Sequence, residues 1–119
     1  MYLMAFSLFE RRLAERIFRE YCVGRNLRYR KSAFEYSFRI RARNVFLLET
    51  SSPVSIESEW REVARFSLHR GDKEWKVYFQ PDGIHWVLDR RIPPNRDLTL
   101  SLKYFKPIGN KSPLRETKG

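Results

Sequence analysis

Residues 34–48 read FEYSFRIRARNVFLL, and this stretch decides the fold. Apolar side chains occupy every second position of its first half: Phe34, Tyr36, Phe38 and Ile40. A period of two is typical of a strand with one buried and one solvated face. The unbroken apolar run at residues 45–48 predicts a second, more fully buried strand. Because Asn tolerates positive φ, Arg43-Asn44 can form a tight turn between the two, and we expect a β-hairpin.

An amphipathic helix is predicted upstream of the hairpin, over residues 8–23. Ser7 and Glu10 have the spacing of a capping box, which starts a helix. Gly24 predicts its C-terminal end. The residues assigned to one apolar half of the helix are Phe9, Leu13, Ala14, Ile17, Phe18 and Tyr21. This half is expected to pack on the sheet.

Three more strands are predicted downstream, after a loop over residues 51–58. Their alternating apolar side chains are Ala64, Phe66 and Leu68, then Trp75, Val77 and Phe79, then Ile84, Trp86 and Leu88. Short turns at residues 70–73 and 81–83 separate these strands. The fold class is therefore α+β: an N-terminal helix packed on an antiparallel sheet of about five strands, a hairpin followed by a three-stranded meander.

The last element is open between two structures. Asp97 can cap a helix that runs to Phe105, whereas Leu98, Leu100, Leu102 and Tyr104 alternate as a strand would. We assign residues 1–106 to a single domain. Residues 107–119 are polar, contain Lys, Ser, Pro and Gly, and are expected to form a disordered basic tail.

Charge is the most unusual property of the chain. Its 119 residues include 24 Lys and Arg against 14 Asp and Glu, a net charge of +10, and 17 of the 24 are Arg. Arg holds phosphate or carboxylate through two hydrogen bonds and stacks on aromatic rings. This composition favours a nucleic acid or an acidic protein as partner.

Several classes of protein are disfavoured. Cys22 is the only cysteine, so no intrachain disulfide can form, and no Cys or His cluster has the spacing of a zinc site. We expect neither a metal nor a cofactor. The apolar start lacks a basic region and a cleavage site and is too short to span a membrane, which favours the cytoplasm.

The candidate binding residues lie on the helix and on the strands. They are Arg12, Arg16 and Arg19 on one helix flank, Arg39, Arg41 and Arg43 along the first strand, and Arg65, Lys76 and Tyr78 on the sheet face away from the helix, where His85 is also expected. Cations interleaved with rings can follow a phosphate backbone and stack bases. Our first hypothesis is a non-catalytic nucleic-acid-binding module. With about five phosphates contacted, the slope of log affinity against log salt would be roughly −4.5.

Two alternatives stay open beside an ordinary solvated surface in which Glu residues neutralise the arginines. The first is a small structural or interaction protein that forms a homodimer through an aromatic patch including Trp60, or binds an acidic protein. The second, weaker, is a metal-dependent nuclease that uses Glu74 and Lys76 with a second carboxylate from Glu49 or Glu62.

The chain also resembles a bacterial family of uncharacterised cytoplasmic proteins, the domain-of-unknown-function family three-zero-two-four. The resemblance covers about residues 6–97 and is carried by Phe6-Ser7, Phe9-Glu10, residues 62–66 (EVARF), residues 74–79 (EWKVYF), Trp86 and Pro93-Pro94. Family members continue into an acidic helix, whereas residues 98–106 of this chain contain no acidic residue. Because the family has no assigned activity, the resemblance implies no catalytic residue.

Overall fold

Two helices and five strands make up the fold. The computed structural model describes residues 5–28 and 33–105. Helix α1 (Leu8–Arg28) precedes strands β1 (Phe34–Arg41), β2 (Asn44–Ser51), β3 (Arg61–Leu68), β4 (Trp75–Phe79) and β5 (Val87–Leu88), and helix α2 (Leu98–Tyr104) follows them. The strands form one antiparallel sheet in the order of the chain. The predicted α+β class is confirmed; the tail predicted at residues 107–119 lies outside the described residues.

Helix α1 begins where the capping box predicts. The Glu10 backbone N–H donates to Ser7 Oγ at 3.1 Å, and the Ser7 N–H donates to Glu10 Oε1 at 2.9 Å. The predicted end at Gly24 is wrong, because α1 continues to Arg28. Asn26 explains the extension: its side chain donates to the carbonyl of Tyr36 and accepts from the Tyr36 N–H, at 3.1 and 3.0 Å. These two bonds tether the last turn of α1 to β1 and offset the helix cost of a glycine, about 1 kcal/mol.

Only a narrow stripe of α1 is buried. Ala14, Phe18 and Cys22 lie in the core, and Phe18 packs 5.1 Å from the Phe66 ring, measured between centroids. Phe9 and Leu13, predicted to face the sheet, are exposed. The reason is geometric: at 100° per residue, Phe9 lies on the opposite side of the helix from Phe18.

The β1–β2 hairpin forms one residue earlier than predicted. Its turn residues are Ala42 and Arg43, with Ala42 at a φ of 56°, and Asn44 is already paired with Arg41. This register places Val45 opposite Ile40, so both side chains face the helices. Since a slip of one residue would turn the apolar set outward, burial fixes the register against the turn preference of Asn.

Strand β5 is shorter than predicted, and its two faces are exchanged. Leu88 pairs with Tyr78, so Leu88 and Trp86 share the face of Tyr78, away from the helices. Asp89 is instead buried and receives two hydrogen bonds from the Arg91 guanidinium, at 2.9 and 2.6 Å. His85 lies in the preceding turn, where its Nδ1 is 2.6 Å from Asp82 Oδ2. His85 is therefore not a member of the strand face.

The last element, for which the sequence allowed a helix or a strand, is a helix. Asp97 caps α2 by accepting a hydrogen bond from the Thr99 N–H at 2.9 Å. Leu98, Leu102 and Phe105 are buried, and Phe105 packs against Phe66 at 5.6 Å between ring centroids. α1 contacts β1 and α2, and α2 contacts β4, so both helices lie on one side of the sheet. Within residues 5–28 and 33–105, no helix has the length and apolar character needed to cross a bilayer.

Candidate functional site

The side of the sheet opposite the helices carries most of the predicted strand residues. We call it the helix-free face and define it by the side chains of Arg39, Arg41, Phe46, Glu62, Arg65, Lys76, Tyr78 and Trp86. Strand alternation places the members of β1 to β4 on this face, and Trp86, which precedes β5, is placed there by its contacts with Phe46 and Arg65. Neither described helix covers this face.

A row of alternating arginines and rings crosses the helix-free face. The Arg65 guanidinium carbon lies 4.3 Å from the centroid of the Tyr78 ring and 5.3 Å from that of Trp86. Trp86 in turn packs against Phe46 at 5.9 Å, and Arg41 lies 6.0 Å above Phe46. We call these five residues the arginine-aromatic row. Guanidinium groups on ring faces gain cation–π attraction, which holds these flat groups in place.

Two other cations of the helix-free face are paired with carboxylates. Arg39 of β1 reaches across β2 and donates to Glu62 of β3. Lys76 Nζ lies 3.8 Å from Asp72 Oδ2. Within the described residues, no carboxylate forms an ion pair with Arg41 or Arg65. The strongest unneutralised positive charge of this face therefore lies in the arginine-aromatic row.

The three helix arginines lie on the opposite side of the sheet from the helix-free face. Arg12, Arg16 and Arg19 are exposed on α1, which packs on the opposite side of the sheet. The nine predicted residues thus divide between two surfaces. Arg39, Arg41, Arg65, Lys76 and Tyr78 come together, whereas the three helix arginines form a separate set.

Arg43 belongs to neither surface, contrary to the prediction. Its side chain is only 15% exposed, donates to the Leu68 carbonyl at 3.0 Å and lies 3.6 Å from Glu10. Its guanidinium also lies 5.9 Å from the Phe6 ring. Because Arg43 is in the turn and not in β1, its side chain leaves the sheet face and fixes the start of α1 to the β1–β2 turn.

The sequence prediction misses Phe46 and Trp86 as members of the site. Phe46 lies in an apolar run without alternation, which gives no indication of its face. Alternation over a longer β5 places Trp86 in the core with the other apolar residues. In the structure Asp89 is buried, so alternation turns Leu88 and Trp86 to the opposite, helix-free face. The pairing of Asp89 with Arg91 makes this burial possible.

The carboxylates considered for a nuclease are dispersed. Glu49 is fully buried on the helix side, where it accepts from the Tyr36 hydroxyl at 2.7 Å and from Arg61 Nη2 at 2.6 Å. Glu62 is on the helix-free face, and Glu74 lies beside His69, past the other end of β3. The extended chain from Glu62 to His69 rises by about 23 Å. In the described part of the chain, no group of three His, Cys, Asp or Glu residues could hold a metal ion.

Two buried groups have strongly raised pKa values. Burial raises the pKa of the Tyr36 hydroxyl, and its hydrogen bond to Glu49 raises it further. Burial also raises the pKa of the Cys22 thiol to about 12, against a smaller lowering by the Arg25 charge. Both groups are neutral at physiological pH. Cys22 therefore lacks the thiolate that a nucleophile needs.

A groove of about 270 Å³ lies between α1, α2 and the start of β4. Leu13, Ile17, Trp75 and Leu98 form its apolar walls, and Glu10 and Lys73 lie 3.8 Å apart at its edge. Glu10 is paired with Lys73, and Asp97 is engaged in capping α2. The groove therefore gives no indication of catalysis.

Comparison with known proteins identifies the family of the chain. Neither the curated proteins nor the solved structures include a match to it. The sequence model of one family, described as a domain of unknown function (DUF3024), matches residues 6–106. This range contains α1, all five strands and α2. The chain therefore belongs to the DUF3024 family.

Proposed function

We propose that this protein is a non-catalytic module that binds single-stranded nucleic acid through the arginine-aromatic row. The observation that carries the proposal is the position of Arg65 between the Tyr78 and Trp86 rings, on a sheet face that neither described helix covers. Rings and guanidinium planes fixed on an open sheet provide platforms on which unpaired bases stack. A duplex hides its base faces, so single strands fit this surface better.

The charge pattern supports the same partner. Arg41 and Arg65 have no carboxylate partner in the described residues, and Lys76 is only loosely paired with Asp72. Contacts from about three cations to phosphates predict a slope of log affinity against log salt of roughly −2 for a single strand. This value is shallower than the roughly −4.5 expected from the sequence for two reasons. Fewer cations lie on the helix-free face, because the helix arginines and Arg43 are elsewhere, and the slope per phosphate is about −0.7 for a single strand against about −0.9 for a duplex.

The test uses fluorescence anisotropy with labelled single-stranded DNA and RNA of about 12 nucleotides and a duplex of equal length, at about 50 mM salt. We expect Arg41→Glu to weaken single-strand binding about tenfold, and Trp86→Leu to weaken it about five- to tenfold. Arg12→Glu is the matched control, since it makes the same charge change on α1. Its effect should stay below about threefold.

Three results would overturn the proposal: no binding to any oligonucleotide at low salt, equal losses for Arg41→Glu and Arg12→Glu, or binding to polyglutamate in place of the oligonucleotides. The last result would favour an acidic protein as the partner. Circular dichroism of each variant separates lost binding from lost folding.

The proposal also places the protein in the cytoplasm. Nucleic acid is present there, and a single thiol such as Cys22 stays reduced. Fractionation of cells that produce the tagged protein tests the location; recovery outside the cytoplasm would contradict it.

A further inference from the structure

The side of α1 that faces away from the sheet carries a stripe of exposed residues, whose positions are symmetric about the middle of the helix. Phe9, Leu13, Val23 and Leu27 are 73%, 38%, 53% and 66% exposed. With Arg16 and Glu20 they recur every three or four residues over the helix, the spacing of a coiled-coil seam. All six lie within about 40° of the direction opposite Phe18. We call these six residues the α1 stripe.

The α1 stripe is symmetric about Phe18 in both position and chemistry. Phe9 and Leu27 are nine residues from Phe18 on either side, and Leu13 and Val23 are five residues from it. Arg16 and Glu20, two residues from Phe18 on either side, have opposite charges. A two-fold axis that lies between two antiparallel copies of the helix, level with Phe18, therefore pairs apolar with apolar residues and Arg with Glu.

We propose that the protein forms a homodimer in which two copies of α1 pack antiparallel along this stripe. Phe9 then lies against Leu27 of the second copy, Leu13 against its Val23, and Arg16 against its Glu20. An interface with two-fold symmetry brings each patch against its symmetry mate, so it requires this self-complementarity. Scattered exposed apolar residues are normal. The six residues of the α1 stripe, however, match in spacing, apolar character and charge about one axis, which favours a second copy of the chain as the partner that covers the stripe.

The expected dimer is weak. α1 has 21 residues and is about 31 Å long, so a helix pair buries on the order of 1,000 Å² in total. This area is at the lower end of specific interfaces, and we expect a dissociation constant of tens of micromolar. The two Arg19 side chains, one from each copy, lie near the two-fold axis at one edge of the interface. Solvent and salt screen the repulsion between them there. The helix-free faces point away from each other, so the dimer is independent of the proposed nucleic-acid site.

Sedimentation velocity over a concentration series tests the proposal with charge variants. Arg16→Glu alone places two carboxylates together at each Arg16–Glu20 contact, and Glu20→Arg alone places two guanidinium groups together there. Each variant should therefore raise the dissociation constant at least tenfold. In the mixed dimer opposite charges meet at both contacts: the substituted carboxylate of one copy faces the substituted guanidinium of the other, and the unchanged Glu20 of the first copy faces the unchanged Arg16 of the second. The mixture should restore a heterodimer of near wild-type affinity, a rescue that cannot come from misfolded chains. Samples are first treated with nuclease, so that nucleic acid cannot link two copies.

Cysteine cross-linking tests the antiparallel orientation. A mixture of Leu13→Cys and Val23→Cys should form the mixed disulfide, whereas Leu13→Cys alone should not, because the two copies of residue 13 are about 15 Å apart along the helix. The native Cys22 is buried and does not compete. A monomeric wild type at about 500 μM, a dimer unaffected by either charge variant, or preferred cross-linking of Leu13→Cys to itself would overturn the proposal.

Discussion

The central carbon of the Arg65 guanidinium lies 4.3 Å from the centroid of the Tyr78 ring, and the two residues are direct cross-strand partners of β3 and β4. Trp86 contacts the same guanidinium from the segment that leads into β5. One arginine thus joins three neighbouring parts of the helix-free face. Its Nε is buried and makes no hydrogen bond to the described residues, so ring contacts are its main attachment.

Replacing Arg65 by Gln should lower the free energy of unfolding by about 1–2 kcal/mol, because two cation–π contacts of about 0.5–1 kcal/mol each are lost. Arg41→Gln is the matched control on the same face. Its single, more distant contact to Phe46 predicts a loss below about 0.5 kcal/mol. Urea denaturation followed by tryptophan fluorescence measures both, and equal losses would show that the contacts of Arg65 do not stabilise the sheet.

Removing the Tyr36 hydroxyl should destabilise the protein by about 1–3 kcal/mol, because Tyr36→Phe leaves the buried Glu49 with one fewer donor. Tyr78→Phe serves as the control, since its hydroxyl is 3.5 Å from His69 at the partly exposed surface. The measurement is the urea midpoint at constant m-value. If the Tyr36→Phe protein were as stable as the Tyr78→Phe protein, the hydrogen bonds from Arg61 alone would be enough for the buried Glu49 carboxylate.

The Cys22 thiol should be unreactive in the folded protein, because burial raises its pKa to about 12. In the unfolded chain the thiol ionises near its ordinary pKa of about 8.5. Between these two values the unfolded state releases a proton that the folded state keeps, so this thiol lowers stability as pH rises above about 8.5.

Iodoacetamide labelling at about pH 8, with and without urea, measures the difference in reactivity. We expect rapid labelling only in urea. The Cys22→Ser variant should lose the part of the alkaline destabilisation that the thiol causes. Fast labelling of the native protein would contradict the burial of Cys22.

The turn before β5 should loosen in acid. The pKa of Asp82 is held well below its usual range, first by the His85 backbone N–H, then by the His85 side chain and the Ile84 N–H. Because the folded pKa is depressed, this stabilisation is present above the ordinary Asp value of about 3.9 and is lost as pH falls through the folded value.

Amide hydrogen exchange at Ile84 and His85 measures this loosening. Protection should decrease below about pH 3, and Asp82→Asn should weaken it already at neutral pH. Asp72→Asn, in the turn between β3 and β4, is the control and should leave Ile84 unchanged. Protection that is constant down to the lowest pH of native folding would show that the carboxylate does not hold the turn.

Local patterns in the sequence determined most of the elements. The Ser7–Glu10 capping box fixes the start of α1, since its bonds form within one helical turn. The period of two in β1, β3 and β4 fixes which side chains enter the core, because adjacent residues of a strand must point to opposite faces. The positions of Arg39, Arg41, Arg65, Lys76 and Tyr78 on one face follow from that alternation.

Only the tertiary structure decided the features that depend on contacts between distant residues. The bonds of Asn26 to Tyr36 extend α1 past Gly24 and thereby add Leu27 to the α1 stripe. The Arg91–Asp89 pair lets a carboxylate be buried, which turns Trp86 outward onto Arg65. Arg43 leaves the sheet face for Glu10 and the Leu68 carbonyl. Alternation brings Arg41, Arg65 and Tyr78 to one face, and the Arg91–Asp89 pair completes the arginine-aromatic row by adding Trp86.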